Sequence, residues 1–181
     1  MRIFIGKLSI LLSIALFLWG GFLSIRRFNP HLLARVNAQK AIPVRPSTVD
    51  AMPVAIEIPS INVNLPIIGA NITNGIWETT DVGISYILRS PRPGNIGNSI
   101  LYGHNWPVLL GNLNKVKPGD IITIRFDKSA SKTFTVHFIT TVEPDDIHIL
   151  KQTTDSRITL YTCIGLFDSK RLVITAIADT Q

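Results

Sequence analysis

From Val54 onward, apolar and polar residues alternate in short runs broken by Gly, Pro, Asn and Asp. The runs Val54–Ile58, Ile61–Leu65, Ser99–Gly103, Ile121–Phe126, Thr133–Val142, Arg157–Cys163 and Leu172–Ala178 read as β-strands, with Ile84–Leu88 a further candidate. Asn74-Gly75, Pro93-Gly94 and Pro118-Gly119-Asp120 mark turns between them. Helical periodicity is scarce, although Asp145 or Asp146 is placed to cap a brief turn through Leu150. So many short strands with so little helix predict an all-β barrel or sandwich. Strand parity then assigns faces. Thr159, Tyr161 and Cys163 share one face, with Thr162 on the other. Phe134, Val136 and Phe138 share a face that His137 does not. Leu65-Pro66-Ile67-Ile68-Gly69 reads as a strand end and turn.

The N-terminal part has a different texture. Leu8 to Ile25 is uncharged and mostly Leu, Ile, Phe and Ala, long enough to cross a bilayer as a helix. A cleaved signal peptide would have a shorter apolar stretch and a small-residue cleavage site, where this chain has Trp19, Phe22, Arg26 and Arg27. The expected organisation is therefore an uncleaved membrane anchor over 1–27, a stalk over 28–53 and a folded domain over 54–181. Within the stalk, Asn29-Pro30 can open a short helix through Val36. Pro43, Pro46 and Pro53 keep the rest extended.

Charge sharpens this division. The 181-residue chain carries a net +6. Seven basic residues and no acid precede Asp50, while the remainder has 11 basic and 12 acidic residues. The positive charge thus belongs to the segment beside the apolar run. It fits anionic lipid headgroups rather than a nucleic-acid groove. The basic flanks of the run, compared alone, favour an outside N-terminus, but long domains override that count. A lone cysteine, Cys163, excludes an internal disulfide framework. The histidines His31, His104, His137 and His148 are scattered, so no zinc site is expected. Glu78, Asp81 and Glu143 are too dispersed to predict a calcium site. No metal or cofactor is expected.

Against that background three residues carry candidate chemistry. Cys163 ends one strand, His104 ends another, and Arg171 begins the last. Taken singly, each has a plainer reading as a buried small hydrophobe, a loop residue and an edge charge. Together they supply a nucleophile, a proton carrier and a fixed cation. No third residue to orient His104 emerges, because its neighbour Asn105 points away from it. Trp106 either lines a substrate groove or fills the core, and Tyr161 reads as core. Thr162 is as consistent with ordinary strand packing as with a substrate contact.

Thr159-Leu160-Tyr161-Thr162-Cys163 on a strand, a later Arg171, and Gly103-His104 upstream resemble the sortases, membrane-anchored cysteine transpeptidases of bacterial surfaces. The resemblance extends from about Met52 to the C-terminus. It implies a closed β-barrel of about eight strands with Cys163, His104 and Arg171 as catalytic residues, and Thr162 and Trp106 as candidate substrate contacts. It implies cleavage of a Leu-Pro-x-Thr-Gly-like sorting motif between Thr and Gly through a Cys163 thioester, then transfer to an amine of cell-wall or pilin type. The implied partners are surface proteins bearing sorting signals, with the domain outside the cytoplasmic membrane. The Pro-rich stretch before Met52 lacks the Asp-Pro-aromatic lid of many pilin-polymerising enzymes, so the pattern is nearer the minimal, housekeeping-type branches.

Two other classes compete. A membrane-anchored β-barrel that binds peptide without catalysis would carry the same residues in a distorted site. A cysteine transpeptidase of the L,D type would need a His-Gly-Cys cluster, whereas Thr162 precedes Cys163 here.

Overall fold

The computed structural model describes residues 2–27, 51–73 and 76–179, with side chains of the first helix described over 10–24. The stalk expected over 28–53 therefore lies largely outside the described residues, as does the short helix expected through Val36. The first element is helix α1, Arg2–Arg27. Among the described residues no helix is long and apolar enough to cross a membrane. The helix is thus where the sequence places it, but its spanning of a bilayer is not shown.

Among the described residues ten strands follow: β1 (Pro53–Ile58), β2 (Val63–Ala70), β3 (Ile72–Thr73), β4 (Ile76–Trp77), β5 (Ile84–Ile87), β6 (Gly97–Tyr102), β7 (Ile121–Phe126), β8 (Lys132–Val142), β9 (Ser156–Ile164) and β10 (Lys170–Ala178). Eight close into a barrel in the order β1-β2-β5-β6-β9-β10-β8-β7, and β3 pairs with β4 in a separate two-stranded sheet. The expected all-β closed barrel is what the chain forms. The brief turn near Leu150 is also present, over His148–Leu150, with the His148 amide donating to Asp146 Oδ1 at 2.9 Å.

Two apolar clusters explain why certain strands lack a polar face. Inside the barrel, Leu160, Ile158, Leu101, Ile124, Phe134 and their neighbours form the main core. A second cluster on the outer wall gathers Trp77, Ile100, Tyr102, Leu150, Tyr161 and Val173. It is roofed by the β3–β4 hairpin and the turn at Leu150. β6 lies between the two and is buried at every position, as strands covered on both faces are. Trp77 meets the Tyr102 and Tyr161 rings edge-on at 4.9 and 5.5 Å. Asn98 ties the roof down. Its side-chain amide donates to the Ile149 and Lys151 carbonyls at 2.9 and 3.2 Å, and its oxygen accepts from Thr159 Oγ1 at 2.7 Å.

Two local expectations are corrected. Leu65–Gly69 lies inside β2 rather than forming a strand end and turn. Pro66 stands where β2 changes partner. Up to Pro66 the strand pairs antiparallel with β1, and from Ile67 it pairs parallel with β5. A residue without an N–H is tolerated at such a junction. Gly83 permits the approach, since a Cβ there would lie 2.3 Å from the Pro66 carbonyl oxygen. The second correction concerns Phe138, which is 62% exposed although Phe134 and Val136 are buried. The β8–β10 register pairs Thr175 with Phe138 and Ala176 with Val136, so His137 is an extra residue. This bulge reverses the parity beyond it. His137 itself is exposed.

The bulge has a measurable consequence. Phe134→Ala should cost about 3–5 kcal/mol of unfolding free energy, and Phe138→Ala less than about 1 kcal/mol. Urea unfolding of the two variants makes the comparison, and equal losses would place Phe138 in the core.

Candidate active site

Residues Ser156 to Ile164 alternate between the two apolar clusters, and this sets the direction of each side chain. Ile158 and Leu160 enter the barrel, whereas Thr159 and Tyr161 face the outer wall. Cys163 falls on the outer face with Tyr161, as parity predicts. In the antiparallel β9–β10 ladder Arg171 is the direct partner of Cys163. Directly opposed residues share a face, with Cβ atoms about 5 Å apart. The thiol and the guanidinium stem are thereby made neighbours by backbone register.

His104 reaches the same place through the parallel β6–β9 ladder. That ladder runs from Gly97↔Ser156 to Tyr102↔Tyr161. Continued for two residues, it sets Gly103 beside Thr162 and His104 beside Cys163. The Gly103 amide donates to the Tyr161 carbonyl at 3.2 Å. Thr162 Oγ1 donates to the Gly103 carbonyl at 2.8 Å. The Thr162 hydroxyl is thus engaged within the protein, where it clips the His104 segment to β9.

The β9–β10 connection is a strained turn. Gly165 has φ 81°, and the non-glycine residues Phe167 and Asp168 have φ 56° and 58°. A left-handed residue other than glycine costs on the order of 1 kcal/mol or more. Arg171 holds this turn in place: Nη1 donates to the Asp168 carbonyl at 2.9 Å and to the Lys170 carbonyl at 3.1 Å.

Burial dominates the electrostatics. Cys163, His104 and Arg171 are only 4%, 7% and 5% exposed. Burial pushes the Cys163 thiol up to about 12, Arg171 pulls it down and Asp168 adds to the rise. Burial holds His104 below its usual value, against the raising influence of Asp81 and Asp168. Both shifts favour the neutral thiol and neutral imidazole. Trp106 is half-buried and stacks on His104, with ring centroids 4.5 Å apart and planes 10° from parallel. Asn105 lines two clefts of about 300 and 270 Å³ at this end of the barrel. The first runs beside Thr162 and Gly165, and the second beside Gly165–Asp168, bounded by Leu23 and Ser24 of α1. Among the described residues no group of His, Cys, Asp and Glu is arranged to hold a metal ion.

A family model described as the sortase domain matches residues 56–179. The chain belongs to the sortase family. Over 118 residues it is 33% identical to sortase A of Listeria monocytogenes, an alignment covering 63% of this chain and 50% of that protein. Sortase A of Corynebacterium diphtheriae superposes with a TM-score of 0.63 at 26% identity, covering 74% of this chain and 64% of the other. Sortase C1 of Streptococcus agalactiae gives 0.61 at 28% identity, covering 71% and 67%. The chain spans about half the length of the curated relatives it matches.

Within this sortase domain, the structure gathers Cys163, His104, Arg171 and Trp106 at one end of the barrel and puts Thr162 immediately behind them. Two carboxylates that spacing did not single out are drawn in as well. Asp81 lies 3.5 Å from His104 Nε2, and Asp168 acts on both His104 and Cys163. Neither belongs to a local motif. Asp168 was discoverable only as an acid between the cysteine and the arginine, and Asp81 only through the tertiary fold.

A buried neutral thiol has a clear signature. Alkylation of Cys163 by iodoacetamide should be slow at pH 7 and rise with pH through 9 and 10, because the reactive thiolate forms only as its raised pKa is approached. A rate that levels off below pH 8 would mean a preformed thiolate.

Proposed function

We propose that this protein is a cysteine transpeptidase that cleaves a Leu-Pro-x-Thr-Gly-like sorting motif and transfers the acyl part to a cell-surface amine. The observation that carries this reading is the register pairing of Arg171 with Cys163 on β9–β10, with His104 delivered to the same end by β6–β9. Membership of the sortase family supports it.

The chemistry follows from the groups present. Proton transfer from Cys163 to His104 gives the minority thiolate–imidazolium pair. The thiolate attacks the carbonyl carbon of the motif threonine, and a tetrahedral oxyanion forms. As the C–N bond breaks, His104 donates its proton to the departing glycine nitrogen, leaving a thioester on Cys163. The acceptor amine then attacks the thioester and gives a proton to His104, and the Cys163 thiolate departs. Arg171 has a planar fork of donors to offer the oxyanion or a substrate carbonyl. Trp106, stacked over the histidine, forms a wall of the substrate groove, while Thr162 acts from behind through the Gly103 carbonyl.

The same proposal extends to location and organisation. Residues 1–27 act as a membrane anchor, 28–53 as a stalk and 54–181 as the extracytoplasmic catalytic domain. This rests on the uncharged run Leu8 to Ile25, the basic cluster around it and family habit. The partners are surface proteins carrying sorting signals and an amine acceptor of cell-wall or pilin type.

Kinetics on a sorting-motif peptide with an added amine test the roles. Cys163→Ala should abolish cleavage and transfer. His104→Ala should lower kcat/KM by at least about 10²-fold. Arg171→Lys should lower it by about 10²–10³-fold, because one ammonium replaces a fork that also holds the turn. Lys170→Ala removes only an exposed contact with Glu143 at 3.5 Å and should change little. Turnover by Cys163→Ala, or equal small effects of Arg171→Lys and Lys170→Ala, would overturn these assignments.

A further inference from the structure

His104 is fixed in one respect by its own segment and in another by a distant one. The Trp106 indole lies almost parallel to the imidazole. The Leu110 amide donates to the His104 carbonyl at 3.1 Å, which holds the backbone. Stacking sets the plane of the ring. It does not decide which way the two nitrogens point within that plane. The segment between β4 and β5 supplies what is missing. Asp81 brings Oδ1 to 3.5 Å from Nε2, an ion-pair approach to a nitrogen that is buried and makes no hydrogen bond in this structure. The histidine side chain is 9% exposed and the aspartate side chain 71% exposed. The carboxylate therefore keeps most of its hydration while it faces a buried ring nitrogen.

We propose that Asp81 is the positioning residue of His104, accepting the Nε2–H so that Nδ1 is turned toward the thiol and the substrate. The inference rests on the reading of His104 as the proton carrier. A histidine that donates one N–H to a carboxylate is held in a single tautomer, and its other nitrogen is left as the acceptor. A carboxylate at this distance also favours the imidazolium that the acylation step needs. The charged and titratable groups around the ring are Asp81 from the β4–β5 segment, Asp168 from the β9–β10 turn, Cys163 on β9 and Arg171 on β10. Asp81 is the one among them with a carboxylate oxygen placed against a ring nitrogen. Being exposed, it acts through solvent as well, so its influence weakens with added salt.

The test uses the full chain with isotopically labelled histidine and follows His104 by NMR in the wild type, Asp81→Asn and Asp81→Glu, beside their pH–rate profiles. In the wild type the nitrogen shifts should report the Nε2–H tautomer of the neutral ring. In Asp81→Asn the tautomers should mix, and the His104 midpoint should fall by at least about half a unit. In the same variant kcat should drop several-fold with KM nearly unchanged. Asp81→Glu should restore part of each. An unaltered tautomer and midpoint in Asp81→Asn would overturn the proposal, whatever the kinetics. A shifted midpoint in a protein that turns over no sorting peptide would uphold the positioning role and count against the transpeptidase reading instead.

Discussion

The parallel pairing of β6 with β9 is the constraint on which the site depends. His104 and Cys163 are far apart in sequence, and the chain between them builds β7 and β8 on the other side of the barrel before it returns. Only the six register pairs from Gly97↔Ser156 to Tyr102↔Tyr161 align the two strand ends. A slip of one residue would turn Cys163 into the barrel and Thr162 out of it. Burial on both faces guards against that slip. The inner side chains of β9 belong to the main core and its outer ones to the aromatic cluster. The Thr162–Gly103 hydrogen bond locks the alignment next to His104 and Cys163.

The same burial that fixes register works against charge. It drives the Cys163 thiol up and His104 down, so the resting pair is neutral. Arg171 favours the thiolate, Asp81 and Asp168 favour the imidazolium, and Asp168 also opposes the thiolate, so titration belongs to the pair rather than to either residue. Arg171 has a second task. Its Nη1 donors restrain a turn with consecutive left-handed residues, Phe167 and Asp168. Cys163, its cationic neighbour and the shape of the loop between them are therefore coupled through one side chain.

Most of the barrel was legible because its strands alternate, and the errors fall where alternation is broken by something non-local. Pro66 looks like a strand terminator, yet it sits mid-strand where β2 exchanges partners. Phe138 follows the expected parity until the His137 bulge shifts it. Ile72–Thr73 and Ile76–Trp77 are too short to read as strands, although the Asn74-Gly75 signal lies between them, and their pairing is seen only when they cover the second cluster. In the site, Cys163, His104 and Arg171 were readable as strand-end residues of suitable chemistry. The role of Thr162 was not, since a hydroxyl on the inner face gives no hint of the carbonyl it will meet. Asp81 was invisible for the same reason: its partner is brought to it by the fold, and no spacing encodes that meeting.

Intact-protein mass spectrometry can detect a thioester on Cys163. The full chain is incubated with a Leu-Pro-x-Thr-Gly peptide in the absence of an amine acceptor, quenched in acid and mapped. A covalent adduct of the peptide fragment ending in threonine is expected on Cys163, released by hydroxylamine and absent from Cys163→Ala. Peptide cleavage with Cys163 unlabelled, or an adduct that persists in Cys163→Ala, would contradict that expectation.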